Sequence, residues 1–322
     1  MKKIAIFTSG GDSPGMNACI RAVVRTAIYH KLEIMGIMHG YEGMIDGEFI
    51  ELESKSVANI IQRGGTILKT ARSKRFMTKE GMQQAYDNLV KNGIEGIVAI
   101  GGNGTFTGAA EFNSIYKIPF IGIPGTIDND LAGTDFTIGF DTAINTVVNA
   151  VDKIRDTAES HDRLFFVEVM GRDAGLIALK SGIGVGAESI LIPESTTDLE
   201  HLFERLDRGK RSKSSKIIMV AEGEEEGGAF EIARKVKERF NQYDTRVSIL
   251  GHLQRGGSPS CNDRVLASRL GFNAVEALIK GKQNVMVGVI NNQIAFTPFE
   301  KAIKHIEEID DEVLRMIEIL SL

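Results

Sequence analysis

The chain has 322 residues, 43% of them apolar and 25% charged, with 38 Lys and Arg against 43 Asp and Glu. That length and balance describe a soluble globular protein of one large or two ordinary domains, and the net charge of −5 argues against a general nucleic-acid binder. No apolar run approaches the ~18 residues of a membrane span, and two cysteines, Cys19 and Cys261, supply neither a disulfide framework nor a Cys-based zinc site, so a reducing cytoplasm is the expected location.

Met1-Lys2-Lys3 leads into an apolar run at 4–7 that is too short for a signal-peptide core and reads as a first strand. A Gly-rich segment at 8–15 follows, then a helical pattern over Met16–Tyr29. The same rhythm returns along the chain. Apolar runs at 34–38, 96–100, 120–123, 164–170, Lys216–Ala221 and 247–250 precede Gly-rich or polar loops at 40–43, 101–105, 124–130, 171–175, 222–228 and 251–259. Short buried runs alternating with helices predict α/β architecture, with parallel sheets covered on both faces. Ligands then bind beyond the carboxyl ends of the strands, where nearly all the glycine-rich loops fall; isolated glycines such as Gly36 and Gly271 read as turn-makers. The runs at 285–290 and 293–296, joined by Asn291-Asn292, predict a hairpin. From Phe299 onward the tail is charged and helical in pattern.

Gly10-Gly11-Asp12-Ser13-Pro14-Gly15 opens a helix, where free backbone N–H groups and the helix dipole favour a phosphate. It is neither a Walker A loop nor the dinucleotide fingerprint. Gly101-Gly102-Asn103-Gly104-Thr105 is a second such loop, and two of them suit a nucleotide polyphosphate or two phosphorylated ligands; Thr105 could also do no more than cap the next helix. Arg72, beside Lys69, Lys74 and Arg75, could neutralise phosphate or belong to a solvated loop. In Pro124-Gly125-Thr126-Ile127-Asp128-Asn129-Asp130, one carboxylate could deprotonate an attacking hydroxyl and the other hold Mg²⁺. Phosphoryl transfer needs that pairing; turn chemistry is the other reading. Arg163, Arg172, Arg246 and Arg255, with His252, lie in or beside strand ends and could fork a sugar phosphate. Glu222 could accept from sugar hydroxyls or sit in a solvated acidic turn. Arg21 and Arg25 share a helix face and could join Arg155, Arg211 and Lys213 in a second anion site, or simply form a charged face.

Taken together, Thr8-Ser9-Gly10-Gly11-Asp12-Ser13-Pro14-Gly15-Met16-Asn17, the 124–130 segment, Met170-Gly171-Arg172 and Gly251-His252-Leu253-Gln254-Arg255-Gly256-Gly257-Ser258-Pro259 resemble the bacterial ATP-dependent 6-phosphofructokinase family over essentially the whole chain. The resemblance implies two Rossmann-like three-layer domains: an ATP-binding domain at 1–138 plus 254–304 and a fructose 6-phosphate-binding domain at 139–253 plus 305–322. It implies a cytoplasmic kinase that commits sugar to glycolysis, moving the γ-phosphoryl group of ATP to the 1-hydroxyl of fructose 6-phosphate with Mg²⁺. Asp128 matches the general base, and Thr126, Arg172 and Arg72 match the groups that steady the moving phosphoryl. Gly11, Tyr41, Arg72, Ser73, Gly102, Asn103, Gly104, Thr105 and Gly108 match the ATP side. Thr126, Ile127, Asp128, Met170, Gly171, Arg172, Glu222, His252, Leu253, Gln254 and Arg255 match the sugar-phosphate side. Arg163 and Arg246 match residues supplied by a neighbouring subunit, which implies a homotetramer with shared sites. Gly104 and Gly125, where pyrophosphate-dependent relatives carry Asp and Lys, favour ATP as donor. Arg21, Arg25, Arg155, Gly186, Ala187, Glu188, Arg211 and Lys213 match an effector site for ADP or phosphoenolpyruvate. Ser54, Asn59, Ser214 and Ser215 depart from it and imply weakened or altered allostery.

Asn103 departs from the Asp that the family places there to hold Mg²⁺, leaving Asp130 as a further ligand candidate. An amide keeps the oxygen but loses the charge. A catalytically weak or non-catalytic nucleotide- and sugar-phosphate-binding paralogue is the alternative that Asn103 raises.

Overall fold

Ile4 and Ile6 alternate with Ala5 and Phe7, so a strand there turns one pair to each face of a sheet. The structure, a computed structural model, describes residues 1–161, 163–195, 199–208, 216–240, 242–303, 305 and 309–320. In it β1 (Lys3–Thr8) lies between β2 (Glu33–Ile37) and β4 (Gly96–Gly101), parallel to both. The sheet extends in parallel through β5 (Phe120–Pro124) to β10 (Val285–Ile290). Antiparallel edges close it at β3 (Phe49–Glu51) and β11 (Gln293–Pro298), giving the order β11-β10-β5-β4-β1-β2-β3. Ile4 and Ile6 pack with α1 (Met16–Tyr29) and α9 (Cys261–Ile279) on one face. Ala5 and Phe7 pack with α2 (Gly40–Asp46), α3 (Lys79–Lys91) and α4 (Asn103–Tyr116) on the other. Phe7, Phe106, Phe112 and Phe120 are fully buried there, each contributing about 1.5–3 kcal/mol of hydrophobic transfer.

A second sheet is parallel throughout. Its order is β7 (Ser189–Leu191), β8 (Lys216–Ala221), β6 (Arg163–Val169), β9 (Asp244–Ile249). Leu164 and Phe166 turn toward α7 (Leu199–Arg208) and α8 (Gly228–Arg239). α6 (Leu176–Gly184) also packs on β6 and β8. α5 (Phe140–Glu159) precedes this sheet in the chain and α10 (Asp311–Leu320) ends the described tail.

The chain divides into two compact units. The first comprises Met1–Ile127, Leu131–Thr142 and Arg255–His305; the second comprises Asp128–Asp130, Ala143–Gln254 and Ile306–Leu322. Asp128–Asp130 thus group with the second unit, whereas the sequence reading carried them in the first domain.

The α/β class and the hairpin agree with the sequence reading, with Asn291 and Asn292 at φ 49° and 60°. Several details differ. Gly40-Tyr41-Glu42-Gly43 is not a loop but the start of α2, because Gly43 lets the helix approach the Met38 carbonyl; a Cβ would stand 1.8 Å from that oxygen. Gly36 and Gly271 make no turns. Gly36 lies inside β2 against Leu68, and Gly271 lets α9 seat on α1, where a Cβ would come 2.8 Å from the Ala22 Cβ. The short strands β3 and β7 carry too few residues to show a periodicity. The 251–255 segment is a single 3-10 turn. Among the described residues no helix is long and apolar enough to cross a membrane.

Candidate active site

In the first unit the chain order reverses at β1, whose neighbours are β2 and β4. Such a switch point opens a crevice at the carboxyl ends of the strands, and the 8–15 and 101–105 loops both leave there. They abut, with the Ser9 N–H donating to the Ile100 carbonyl at 2.9 Å. α1 starts from Gly15 at φ 106° and α4 from Gly102, and neither N-cap has a side-chain hydrogen bond. Two adjacent helix starts therefore present backbone N–H groups suited to an anion. Thr105 is not the cap of α4, which begins two residues earlier at Asn103. It is buried, and its carbonyl accepts the Tyr41 hydroxyl at 2.6 Å.

Gly11 has no room for a side chain. A Cβ would fall 2.1 Å from Arg255 Nη1, which donates to the Asp12 carbonyl at 3.3 Å. At Gly104 a Cβ meets no protein atom within 4 Å, so that space is open to a ligand. At Gly125 a Cβ would lie 2.8 Å from Ile100, so packing as well as any donor requires glycine there. Tyr41 is sandwiched between Phe7 and Phe76, with centroids at 4.8 Å and 3.9 Å. Gly108 admits its ring, with a Cβ position 3.2 Å away. Tyr41 therefore forms a wall with its hydroxyl already committed; burial pushes that hydroxyl's pKa well above its ordinary value.

Arg72 and Lys74 are exposed, and Ser73 Oγ accepts the Phe76 N–H at 3.0 Å. Arg75 does not join them. Its guanidinium binds Asp46 at 2.9 Å and Glu42 at 2.6 Å on α2, which holds the Asp46 carboxyl below its ordinary range. The Thr126 carbonyl accepts the Thr137 hydroxyl at 2.6 Å.

In the second unit Asp128 is 4% exposed and Asp130 8%. Arg172 Nε stands 3.8 Å from Asp128 Oδ2, close enough for strong charge coupling in a partly buried setting. Arg172 is itself at φ 55°, a left-handed backbone for a bulky residue. Three contacts hold it so. Its N–H donates to Glu222 Oε1 at 2.8 Å, Gly223 presses on its carbonyl where a Cβ would come within 1.9 Å, and Gly171 takes φ 144° beside the Ala174 carbonyl. Glu222 thus spends one oxygen on the Arg172 backbone, a role that sequence reasoning did not assign. Gln254 is fully buried. It braces the loop, accepting the Met170 N–H at 3.2 Å and donating to the Gly251 carbonyl at 3.0 Å. Met170 and Ile127 are likewise buried, while His252 and Leu253 are exposed.

Of the four arginines, Arg163, Arg172 and Arg246 lie in the second unit and do not converge within it. Arg163 and Arg246 flank Asp244 at the amino ends of β6 and β9, each at 2.8 Å. Arg172 lies past the carboxyl end of β6, a strand of seven residues, hence roughly 20 Å away. Arg163, then Arg246, holds the Asp244 carboxyl below its ordinary range.

The effector candidates come together only in part. In the second unit the Arg155 guanidinium donates to the Val185 carbonyl, beside Gly186 at φ 60° and the buried Ala187 and Glu188. Arg21 and Arg25 sit on α1 in the first unit, Arg21 half-buried and Arg25 exposed. Arg211, Lys213, Ser214 and Ser215 lie outside the described residues. Ser54 opens a 3-10 turn, and Asn59 takes φ 54°, a left-handed position that Asn tolerates.

Sequence reasoning also missed Asp263, 1% exposed, which accepts from the Gly139 and Thr142 N–H groups at 2.8 Å and fixes the start of α5. Its only sequence signal is its place three residues after the α9 cap Ser260. Among the described residues no cluster of three His, Cys, Asp or Glu is placed to hold a metal. Mg²⁺ requires none, because one or two carboxylates plus substrate phosphates suffice; Asp130 in the second unit and Asn103 in the first each offer a hard oxygen of that class.

Comparison with known proteins agrees with these features. A family model described as phosphofructokinase matches residues 3–278. The chain is 57% identical over 322 residues to the ATP-dependent 6-phosphofructokinase of Cytophaga hutchinsonii, covering 100% of this chain and 98% of that one. It is 54% identical over 323 residues to ATP-dependent 6-phosphofructokinase 1 of Thermus thermophilus, with 100% of both covered. Among solved structures, phosphofructokinase from Saccharomyces cerevisiae superposes with a TM-score of 0.87 at 36% identity, covering 99% of this chain but 46% of that chain. The chain therefore spans about half the length of that yeast chain. A pyrophosphate-dependent phosphofructokinase from Marinobacter aquaeolei, at 22% identity, TM-score 0.86 and coverage of 99% and 91%, shares the fold. With the switch-point loops, the strained Arg172 turn and full-length matches above half identity, the chain belongs to the phosphofructokinase family.

Proposed function

We propose that this chain is an ATP-dependent 6-phosphofructokinase, transferring the γ-phosphoryl group of ATP to the 1-hydroxyl of fructose 6-phosphate to give fructose 1,6-bisphosphate and ADP. The observation that carries this reading is the full-length match at 57% identity to an enzyme of that name. In this reading the first unit binds ATP. The helix starts at Gly15 and Gly102 face its phosphates, with Gly11, Asn103, Gly104, Thr105, Arg72 and Ser73 around them and Tyr41 and Gly108 forming the wall. The second unit binds the sugar phosphate through Met170, Gly171, Glu222, His252 and Leu253, with Arg255 beside the 8–15 loop.

Asp128 takes the proton of the sugar 1-hydroxyl as its oxygen attacks the γ-phosphorus and the bond to the β-phosphate oxygen breaks. Burial keeps the carboxylate from full hydration, and the Arg172 guanidinium stands beside it at 3.8 Å. Thr126, Arg172 and Arg72 offset the charge that spreads over the equatorial oxygens, the main demand of phosphoryl transfer. Mg²⁺, when bound with ATP, would be held by Asp130 and Asn103 and would neutralise phosphate charge. Arg163 and Arg246, remote from Arg172 within one chain, support a shared site in a homotetramer. ADP or phosphoenolpyruvate at the Arg155 turn and a cytoplasmic location complete the proposal. Asn103 raises a non-catalytic alternative, which the full-length similarity to enzymes does not support.

The test is a coupled assay of fructose 1,6-bisphosphate formation with Mg²⁺ titrated. Robust turnover is expected, and Asp128→Asn should lose about 10²–10⁴-fold in kcat while still binding both substrates. A variant with near-normal kcat would remove Asp128 from the role of base.

A further inference from the structure

Arg72 sits in a long irregular stretch, residues 58–74, between the 3-10 turns Ser54–Val57 and Arg75–Met77. A loop of that length has no ladder to fix its course, so side-chain hydrogen bonds must do so. They come from the end of β1 and the first turn of α1. Asn17 is 1% exposed. Its Nδ2 donates to the Arg63 carbonyl at 3.2 Å and the Gly64 carbonyl at 3.0 Å, and its Oδ1 accepts the Ile67 N–H at 2.8 Å. Two carbonyls on one side and an N–H on the other match a primary amide and no other side chain of that size. The amide itself is buried, so its own donors and acceptor depend on these three partners.

The strap continues from there. The Thr8 hydroxyl donates to the Lys69 carbonyl at 2.7 Å and accepts from Thr66 Oγ1 at 2.9 Å. Thr70 Oγ1 then donates to the Gly10 carbonyl, inside the 8–15 loop, at 2.7 Å. Arg72 follows two residues later. The three hydrogen bonds to this loop account for an amide at position 17, in the first turn of α1.

We propose that Asn17 is a positioning residue for phosphoryl transfer. Through the 63–70 strap it fixes Arg72 relative to the anion loop on the same helix start, so both phosphate-binding elements share one rigid anchor. This rests on the reading of Arg72 as a phosphate-binding residue.

The test is a double-mutant cycle on the full-length enzyme, with kcat and both KM values measured alongside thermal unfolding. Asn17→Asp keeps the shape and the Ile67 bond but withdraws both donors. It is expected to lower kcat/KM for ATP by about 10–100-fold, the scale of a misplacement near 1 Å, with KM for fructose 6-phosphate unchanged. In an Arg72→Ala background it should cost less than about twofold, because residues acting through one another are not additive. Equal losses in both backgrounds would overturn the proposal and leave Asn17 a stability residue. If Asn17→Asp does not fold, Thr70→Val takes its place in the cycle. Thr70 closes the strap on the 8–15 loop through a solvent-side hydroxyl, and wild-type kinetics there would equally overturn the proposal. A silent Arg72→Ala beside an impaired Asn17→Asp would refute the Arg72 reading and, separately, the route through it.

Discussion

Asn103 opens α4 with an amide where the family resemblance leads one to expect a carboxylate. A hard dication prefers the charged oxygen, so Asn103→Asp should lower the half-saturating Mg²⁺ concentration and raise kcat. Mn²⁺ titration of the enzyme with a non-hydrolysable ATP analogue, followed by electron paramagnetic resonance, would show the tighter site directly; unchanged affinity would relieve Asn103 of any metal role. At Arg172 the backbone matters as much as the guanidinium. Gly223→Ala would drive a Cβ within 1.9 Å of the Arg172 carbonyl, an atom that cannot swing aside as a side chain could. The expected result is a loss of roughly 10²-fold in kcat, larger than that of Gly184→Ala, where a Cβ would meet only Val148 Cγ2 at 3.6 Å. Paired kinetics of the two variants would check it.

At the scale of elements, α5 is held at its start by a carboxylate from α9. Burial pushes the Asp263 carboxyl above its ordinary 3.8, with the Asp141 charge a smaller contribution in the same direction and the bonds from Thr142 and Gly139 working against it. The folded chain therefore binds a proton at a pH where the unfolded chain does not. Stability from this group grows as pH falls from the raised value toward 3.8 and is lost as pH rises through it. Asp263→Asn removes that slope, so the variant should fall further behind the original chain as the medium is acidified through this window. Denaturant unfolding at a series of pH values would measure it; parallel curves would count against a raised Asp263. The 3-10 turn at Arg75–Met77 is tied to α2 by an exposed ion pair, a contact of small energetic weight whose use is to direct Arg75 away from the Arg72 side.

At the scale of the whole molecule, Arg163 and Arg172 lie at opposite ends of one strand. If active sites are shared between subunits, a mixture of Arg163→Ala and Asp128→Asn chains should regain activity that neither shows alone. The regained sites would take Asp128 from one variant and Arg163 from the other. Subunit mixing after mild dissociation, followed by the coupled assay, tests this, and mixtures no better than their parts would place each site within a single chain.

The α/β class, most strands and the Gly-rich loops were legible in the sequence because short apolar runs and the glycines that follow them are local patterns, set by the pleat and by φ. The resemblance carried the family for the same reason: its motifs are contiguous. What only the tertiary structure decided depends on pairs distant in sequence. It turned Gly36 and Gly271 from turns into packing sites, buried Gln254, drew Arg75 away to α2, gave Glu222 the Arg172 N–H to hold, and brought Asn17 to the 63–67 loop. No periodicity encodes such partners, because a hydrogen bond across fifty residues is fixed by the path of the folded backbone, whereas a strand or a helix start is fixed by its own few residues.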